Sequence, residues 1–231
     1  MKKIVLSGGS SGIGKALAGE FIHRGHEVFV FARSGKKLEQ LEDEFSGTKN
    51  LLHVFPFDLR SHDFAGLAGA VKSKLGQVDC VVNNAGILVN KPFLELTEKD
   101  VSDVFRVNVM AVFPLVQHLF PLMKKGGHIV NISSMGGFQG SLKFAGLSAY
   151  SASKGALSVL TESMALELLP YNIHVNALAL GAVQTDMLAA AFPHYTAPLA
   201  PAEIADFIVD FTLTGHRYFN GKILPVSLLN P

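Results

Sequence analysis

The chain has no tryptophan and a single cysteine, Cys80, among its 231 residues. One cysteine excludes an intrachain disulfide and fits a reducing compartment, so a cytoplasmic location is expected. Neither sign of charge dominates: 20 Lys and Arg stand against 19 Asp and Glu, leaving +1. That balance gives no support to a nucleic-acid surface or a polybasic membrane patch. No apolar run approaches the roughly 18 residues of a membrane span. The apolar stretch around Ile4, Val5 and Leu6 is too short for a signal-peptide core. No linker, repeat or low-complexity segment divides the chain, so one domain over residues 1–231 is expected. The nine histidines form no metal constellation. His23 and His26 stand three apart, but no Cys, His or carboxylate set completes a site.

What is present is apolar. Hydrophobic residues make up 48% and charged residues 17%, a balance suited to a sheet buried on both faces. Short apolar runs at 3–6, 27–32, 51–57, 79–82, 128–132, 174–178 and 222–226 read as strands. Helical patterns lie between them at 13–24, 36–45, 61–75, 98–124, 149–168 and 202–211. This alternation predicts an α/β fold, a single Rossmann-type doubly wound domain with a seven-stranded parallel sheet and helices on both faces. Cys80, inside an apolar run, reads as a small buried hydrophobe.

Some boundaries carry their own signal. Thr97 can cap a helix starting at Glu98, with Glu98 and Asp100 placing negative charge in its first turn. Lys124, Lys125, Gly126 and Gly127 offer positive charge and glycines for its end. Pro170 should stop the helix before it. Pro114 removes one backbone N–H from the long pattern and should leave the Met110 carbonyl without a helical partner, predicting a kink or a bound water.

Four segments carry chemistry. The turn Ser7-Gly8-Gly9-Ser10-Ser11-Gly12-Ile13-Gly14 follows the first strand and opens a helix. Its glycines allow close backbone approach, and its N–H groups sit at the positive end of a helix dipole, where phosphates bind. Asn83-Asn84-Ala85-Gly86 follows the fourth strand, and Ser133-Ser134 the fifth. Tyr150 and Lys154, at i and i+4, share one helix face. A phenol titrates near 10; an ammonium within about 4–6 Å favours the phenolate and lowers that value. The phenol then becomes an efficient proton carrier near neutrality.

With these motifs, from about Ile4 to Val226, the chain resembles the short-chain dehydrogenase/reductase family. The glycine spacing, Gly8-x-x-x-Gly12-x-Gly14, looks like that family's turn, with Ser7 where Thr is usual. The resemblance implies a nicotinamide dinucleotide held by Ser7, Gly8, Ser10, Ser11, Gly12, Ile13 and Gly14. Asp58 and Leu59 would lie near the adenine, and Asn84, Ala85 and Gly86 beside the adenine ribose. Gly181, Val183 and Thr185 would cover the nicotinamide. For Asp58 a helix N-cap is the other reading; for Asn83 a structural hydrogen bond weighs equally with a cofactor role. At the end of the second strand Ala32 is followed by Arg33 and Ser34, with no acidic residue to accept a ribose 2′-OH. A guanidinium there suits a phosphate, so the resemblance implies NADP.

The resemblance also implies Asn108, Ser134, Tyr150 and Lys154 as the catalytic set. Tyr150 would be the general acid/base, and Lys154 would also hold the nicotinamide ribose. Ser134 would bind the substrate oxygen, with Ser133 as the competing choice. Asn108 would sit in a disrupted helix that holds a proton-relay water. The implied activity is interconversion of a carbonyl and a secondary alcohol. A dinucleotide-binding regulatory protein with little turnover is the alternative.

The chain departs from the family in two places. The span from Ser134 to Tyr150 is longer than usual, the extra length falling near 140–148. Leu180 replaces a usual Pro, which should soften the loop that follows. A substrate pocket is expected from 88–91, 138–147 and a loop at 187–201, contributing Leu88, Phe138, Leu142, Phe144, Leu147, Met187, Leu188, Phe192 and Tyr195. That lining suits an apolar small-molecule carbonyl or alcohol; Lys143 is the one candidate for an anionic group. Apolar residues on 98–124 (Val109, Val112, Phe113, Val116, Leu119) and 149–168 (Leu157, Leu160, Met164, Leu166, Leu168) suggest a homotetramer or homodimer.

Overall fold

The computed structural model describes residues 1–48 and 50–228. Its strands are β1 (Lys3–Ser7), β2 (Glu27–Ala32), β3 (Leu52–Pro56), β4 (Val78–Asn83), β5 (Met123–Ser134), β6 (Ile173–Leu180) and β7 (Ile223–Val226). They form one parallel sheet in the order β3-β2-β1-β4-β5-β6-β7. The winding direction reverses between β1 and β4, so the crevice at their carboxyl ends is where a ligand belongs in such a sheet. β1, β2 and β4 are buried almost throughout because helices cover both faces.

The helices are α1 (Gly12–His23), α2 (Gly35–Glu44), α3 (Phe64–Leu75), α4 (Glu98–Phe105), α5 (Val112–Leu119), α6 (Ser148–Leu168), α7 (Asp186–Ala191) and α8 (Pro201–Thr214). One face of the sheet packs Leu17 and Phe21 of α1 and Ile208 of α8 against Leu6, Val28 and Val82. The other packs Leu67 of α3, Leu115 of α5 and Leu157 of α6 against Val5, Val81 and Ile129.

The long helix expected over 98–124 is interrupted. α4 passes into a π-turn over Arg106–Met110, in which the Ala111 N–H donates to the Arg106 carbonyl five residues back, and α5 follows. The break therefore precedes Pro114, which falls in the first turn of α5, where a missing N–H costs least. A 3-10 turn over Phe120–Leu122, holding Pro121, ends the run. Lys124, Lys125, Gly126 and Gly127 consequently belong to β5, not to a helix end, and Lys124 lies 3.5 Å from Asp79. Thr97 does cap α4, in a reciprocal box with Asp100. The stretch Glu98–Leu122 is long and apolar enough in composition to cross a bilayer, with half of its apolar window buried inside the protein. It packs as a core helix, its charged residues crowded between Glu98 and Arg106.

Other expectations shift by a few residues. α3 begins at Phe64 because Asp63 caps it, accepting from the Gly66 N–H. Asp58 is not that cap; it pairs with Arg60 at 2.6 Å. α7 is a helix of six residues inside what reads as a loop. Leu180 is the last residue of β6, buried, and paired in register with Ser134 and Val226.

Candidate active site

A cavity of about 900 Å³ opens at the carboxyl ends of the strands. Its floor is the turn between β1 and α1. Gly8 has φ +68, and a Cβ there would lie 2.8 Å from Ala85 Cα; a Cβ on Gly14 would strike the Gly8 carbonyl. Only glycine lets these two loops close on each other. Ser11 is the N-cap of α1 yet makes no side-chain cap bond. The first N–H groups of α1 therefore face the cavity with the positive end of the dipole behind them. This bare, glycine-built cradle fits a pyrophosphate, the group that a nicotinamide dinucleotide would bring.

Gly8, Ser10, Ser11, Gly12, Ile13, Gly14, Arg33, Ser34, Asp58, Leu59, Asn84, Ala85, Gly86, Gly181, Val183 and Thr185 all line this cavity. Ser7 does not. Its hydroxyl lies beneath the floor and accepts from the N–H groups of Asn84 and Ala85, both at 3.0 Å, so it builds the turn instead of touching a ligand. Asn84 Nδ2 ties the same loops together through the carbonyls of Ser7 and Gly8. Asn83 is buried and donates to Asn131 Oδ1 on β5 at 2.7 Å, a bond within the sheet.

At the β2 end Arg33 is exposed on the cavity wall, close enough for its charge to help lower Asp58. The larger cause of that lowering is the hydrogen bond from Arg60. Ser34 caps α2, accepting from the Lys37 N–H at 3.3 Å. Lys37 and Arg60 line the cavity too, although sequence reasoning missed both. Lys37 had a signal, one turn beyond Ser34; Arg60 had only its nearness to Asp58.

At the β5 end Ser134, Tyr150 and Lys154 come together around the cavity. Ser134 follows β5 directly and its Oγ accepts from the Gly136 N–H. Gly137 is needed here because a Cβ would strike the Lys154 backbone. Ser133 also lines the cavity, but it is buried and its hydroxyl donates to the Lys154 carbonyl at 3.1 Å. Burial raises the Tyr150 phenol above its ordinary 10, and a hydrogen bond with Ser134 opposes that rise. The expected lowering by Lys154 is therefore not what the protein's own groups produce. Lys154 Nζ stands 5.8 Å from the Tyr150 ring centre and donates to the Ile132 carbonyl at 2.7 Å. Burial depresses Lys154 itself to about 8.

Asn108 does not line the cavity; it holds the site from behind. It lies in the π-turn, buried, with Oδ1 accepting from the Ile87 N–H at 2.8 Å. Its Nδ2 donates to the Ile87 carbonyl and to Ser153 Oγ, both at 3.0 Å. Ser153 in turn donates to the Tyr150 carbonyl at 2.7 Å. Gly86 completes this packing, since a Cβ there would press on Asn108 Oδ1 at 3.3 Å.

The mouth is built from three loops. Leu88, Phe144, Leu147, Met187, Leu188, Phe192 and Tyr195 line it as expected. Phe138 and Leu142 do not, and Leu142 is exposed. Met135 and Pro198 take part instead. Asn90 Nδ2 donates to the Ala191 carbonyl at 2.7 Å, and the Lys91 N–H to the Gly146 carbonyl at 3.0 Å. α7 and the longer loop are thereby joined to the loop after β4. The Val183 backbone pairs with Leu199, and Thr185 caps α7 with its methyl against Gly12.

A glycine-rich turn at the switch point of a doubly wound sheet, facing a Ser, Tyr and Lys set, is an arrangement suited to a dinucleotide. Residues 2–196 match the short chain dehydrogenase family profile, and the chain belongs to the short-chain dehydrogenase/reductase family, whose members use a nicotinamide dinucleotide. It is 35% identical to an NADPH-dependent pterin aldehyde reductase of Arabidopsis thaliana, covering 91% of this chain and 89% of that protein. It is 33% identical to a 3alpha-hydroxysteroid dehydrogenase of Mediterraneibacter gnavus, covering 98% and 95%. A short-chain dehydrogenase of Escherichia coli CFT073, crystallised with NADPH, superposes with TM-score 0.89 at 30% identity, covering 97% of this chain and 95% of that one.

Proposed function

We propose that this protein is an NADP(H)-dependent oxidoreductase that interconverts an apolar carbonyl compound and its secondary alcohol. The observation that carries this reading is the Ser134, Tyr150 and Lys154 set on the cavity that also holds the glycine cradle. Bound NADPH would supply the hydride in reduction, and bound NADP+ would accept it in oxidation. Ser134 holds the substrate oxygen. In reduction, Tyr150 O–H donates its proton to that oxygen; in oxidation it takes the proton back. Lys154, titrating at about 8, is mostly charged at neutral pH. The hydrogen bond with Ser134 favours the phenolate left after proton donation, and the Lys154 ammonium would hold the nicotinamide ribose. Asn108 fixes Ile87 against α6 and so sets where Tyr150 stands.

The preference for NADP rests on Arg33, Ser34 and Lys37, with Arg60 beside them. Asp58, a carboxylate at this end, is engaged by Arg60. NADPH oxidation against a panel of ketones, aldehydes and quinones tests the activity; no turnover on any of them would sink it. Arg33→Ala should narrow the affinity gap between NADPH and NADH, and equal dissociation constants in the native protein would overturn the NADP reading.

Assembly as a homotetramer or homodimer belongs to the same proposal. Val109, Val112, Val116, Leu119, Leu157 and Leu160 are internal, but Phe113 and Leu166 are exposed, joined by Val101, Met110 and Val159. Light scattering at micromolar concentration tests it, a monomer mass throughout being the refuting result. The single, buried cysteine suits a reducing cytoplasm.

A further inference from the structure

We propose that the substrate arm of this site selects uncharged carbonyl compounds and rejects those bearing a carboxylate or phosphate, an inference that rests on the oxidoreductase reading above. The cavity is electrically lopsided. Its cations other than Lys154 are Arg33, Lys37 and Arg60, which follow β2 and β3. Ser134 follows β5, and β2 and β5 are three strand spacings apart in the sheet order, about 14 Å. A dinucleotide lying along the carboxyl ends would occupy that interval, so those cations serve the adenosine end.

Beyond the cradle the cavity lining is mostly apolar, with Met135, Phe144, Leu147, Met187, Leu188 and Phe192, and Tyr195 besides. Lys154 is the one Lys, Arg or His lining this end among the described residues. It is buried, donates to the Ile132 carbonyl and stands beside the phenol.

Two lysines near the mouth are turned away. Lys143 Nζ donates to the Phe138 carbonyl at 2.6 Å and to Ser141 Oγ at 2.7 Å, inside its own loop. Lys91 Nζ is paired with Asp100 at 2.7 Å. The ionisable side chain that α7 does turn to the cavity is Asp186, an acid. A carboxylate seated in this arm would lose water, gain no cation and meet a like charge. Each of these disfavours it, and an unpaired buried charge is the largest penalty.

The test uses matched ketones of one shape: 2-acetylnaphthalene against 6-acetyl-2-naphthoate, and cyclohexanone against 4-oxocyclohexanecarboxylate. Binding to the protein saturated with NADP is measured by calorimetry, and NADPH oxidation is followed in parallel. The neutral member of each pair should bind at least about 10²-fold more tightly, the scale set by desolvating an unpaired carboxylate. Leu188→Arg, which places a guanidinium on half-exposed α7, should bring the carboxylate member to within about tenfold of the neutral one. Equal or tighter binding of the carboxylates by the native protein overturns the inference, as does failure of both neutral members to bind. Selective binding of the neutral members without NADPH oxidation upholds it while removing the oxidoreductase reading.

Discussion

Strands β5 and β6 bury titratable groups at both ends, and the two ends treat them in opposite ways. Toward the amino ends, His128 and His174 stand in register, with the His216 ring 5.4 Å from His128. His128 Nδ1 donates to the Thr212 carbonyl at 2.9 Å, and its Nε2 accepts from Asn176 Nδ2 at 3.0 Å. Both ring nitrogens are matched, the ring is neutral, and burial drives its pKa down to about 3. Toward the carboxyl ends, Lys154 is as thoroughly buried, and burial again lowers it, but only to about 8. Its ammonium has three protons and makes one hydrogen bond among the described residues, to the Ile132 carbonyl. A shifted pKa is therefore common to both ends. What separates them is that both His128 ring nitrogens find partners inside the protein, although His174 Nδ1 and His216 Nδ1 beside it do not, while Lys154 faces a cavity with capacity to spare.

The largest effect should come from Tyr150→Phe. Removing one hydroxyl should lower turnover at least about 10²-fold, the scale of general acid catalysis, while NADPH affinity measured by calorimetry stays near native. Near-native turnover would place Tyr150 with the structural end of the strands.

Lys154→Met should separate function from stability. The folded value lies below the ordinary 10.5, so folding disfavours the charged form. That penalty is fully present below about pH 8, where both states are charged. It is relieved as pH rises toward 10.5. At pH 7 the Met variant should lose activity yet gain about 1–3 kcal/mol of stability, read as a higher Tm. A lower Tm would break the contrast.

His128→Leu should do the reverse. It leaves the Thr212 carbonyl and Asn176 Nδ2 without this partner, costing about 1–3 kcal/mol, with kcat per folded molecule unchanged. His128 also sets an acid limit. Its folded value is below the unfolded 6.5, so its contribution is complete above pH 6.5 and is lost as pH falls toward 3. The Leu variant should show a flatter stability profile across that window.

The smallest effect is expected at the mouth. Gly146 has φ +84, and a Cβ there would run into Asn90 Oδ1. Gly146→Ala should disturb the seam between the longer loop and the loop after β4, raising KM about threefold to tenfold, the equivalent of about 1 kcal/mol, with kcat held. A fall in kcat with KM unchanged would show that the seam governs the catalytic groups instead of access.

Much of this was legible locally. The glycine turn reads from spacing because only glycine permits the approach that Gly8 and Gly14 make. That Tyr150 and Lys154 share a face reads from helical periodicity, their importance from the family resemblance, and Thr97 with Asp100 from capping chemistry. The seven apolar runs read because a sheet covered on both faces needs continuous hydrophobic strands. Other features have no local signature. The π-turn at Arg106–Met110 is chosen by the bonds Asn108 makes to Ile87 and Ser153, residues remote in sequence. α7 is too short to show a period.

By itself the sequence determined the strands and the glycine turn, since each depends on residues a few positions apart, while the proton-transfer role proposed for Tyr150 and Lys154 came from the family resemblance. Only the tertiary structure decided that Ser7 lies beneath the cavity, that Phe138 and Leu142 fall outside it, and that Arg60 and Lys37 reach its wall. It also decided the charge states. His128 is neutral and the Tyr150 phenol is raised because burial and partner geometry, not residue type, set the free energy of a proton inside a protein.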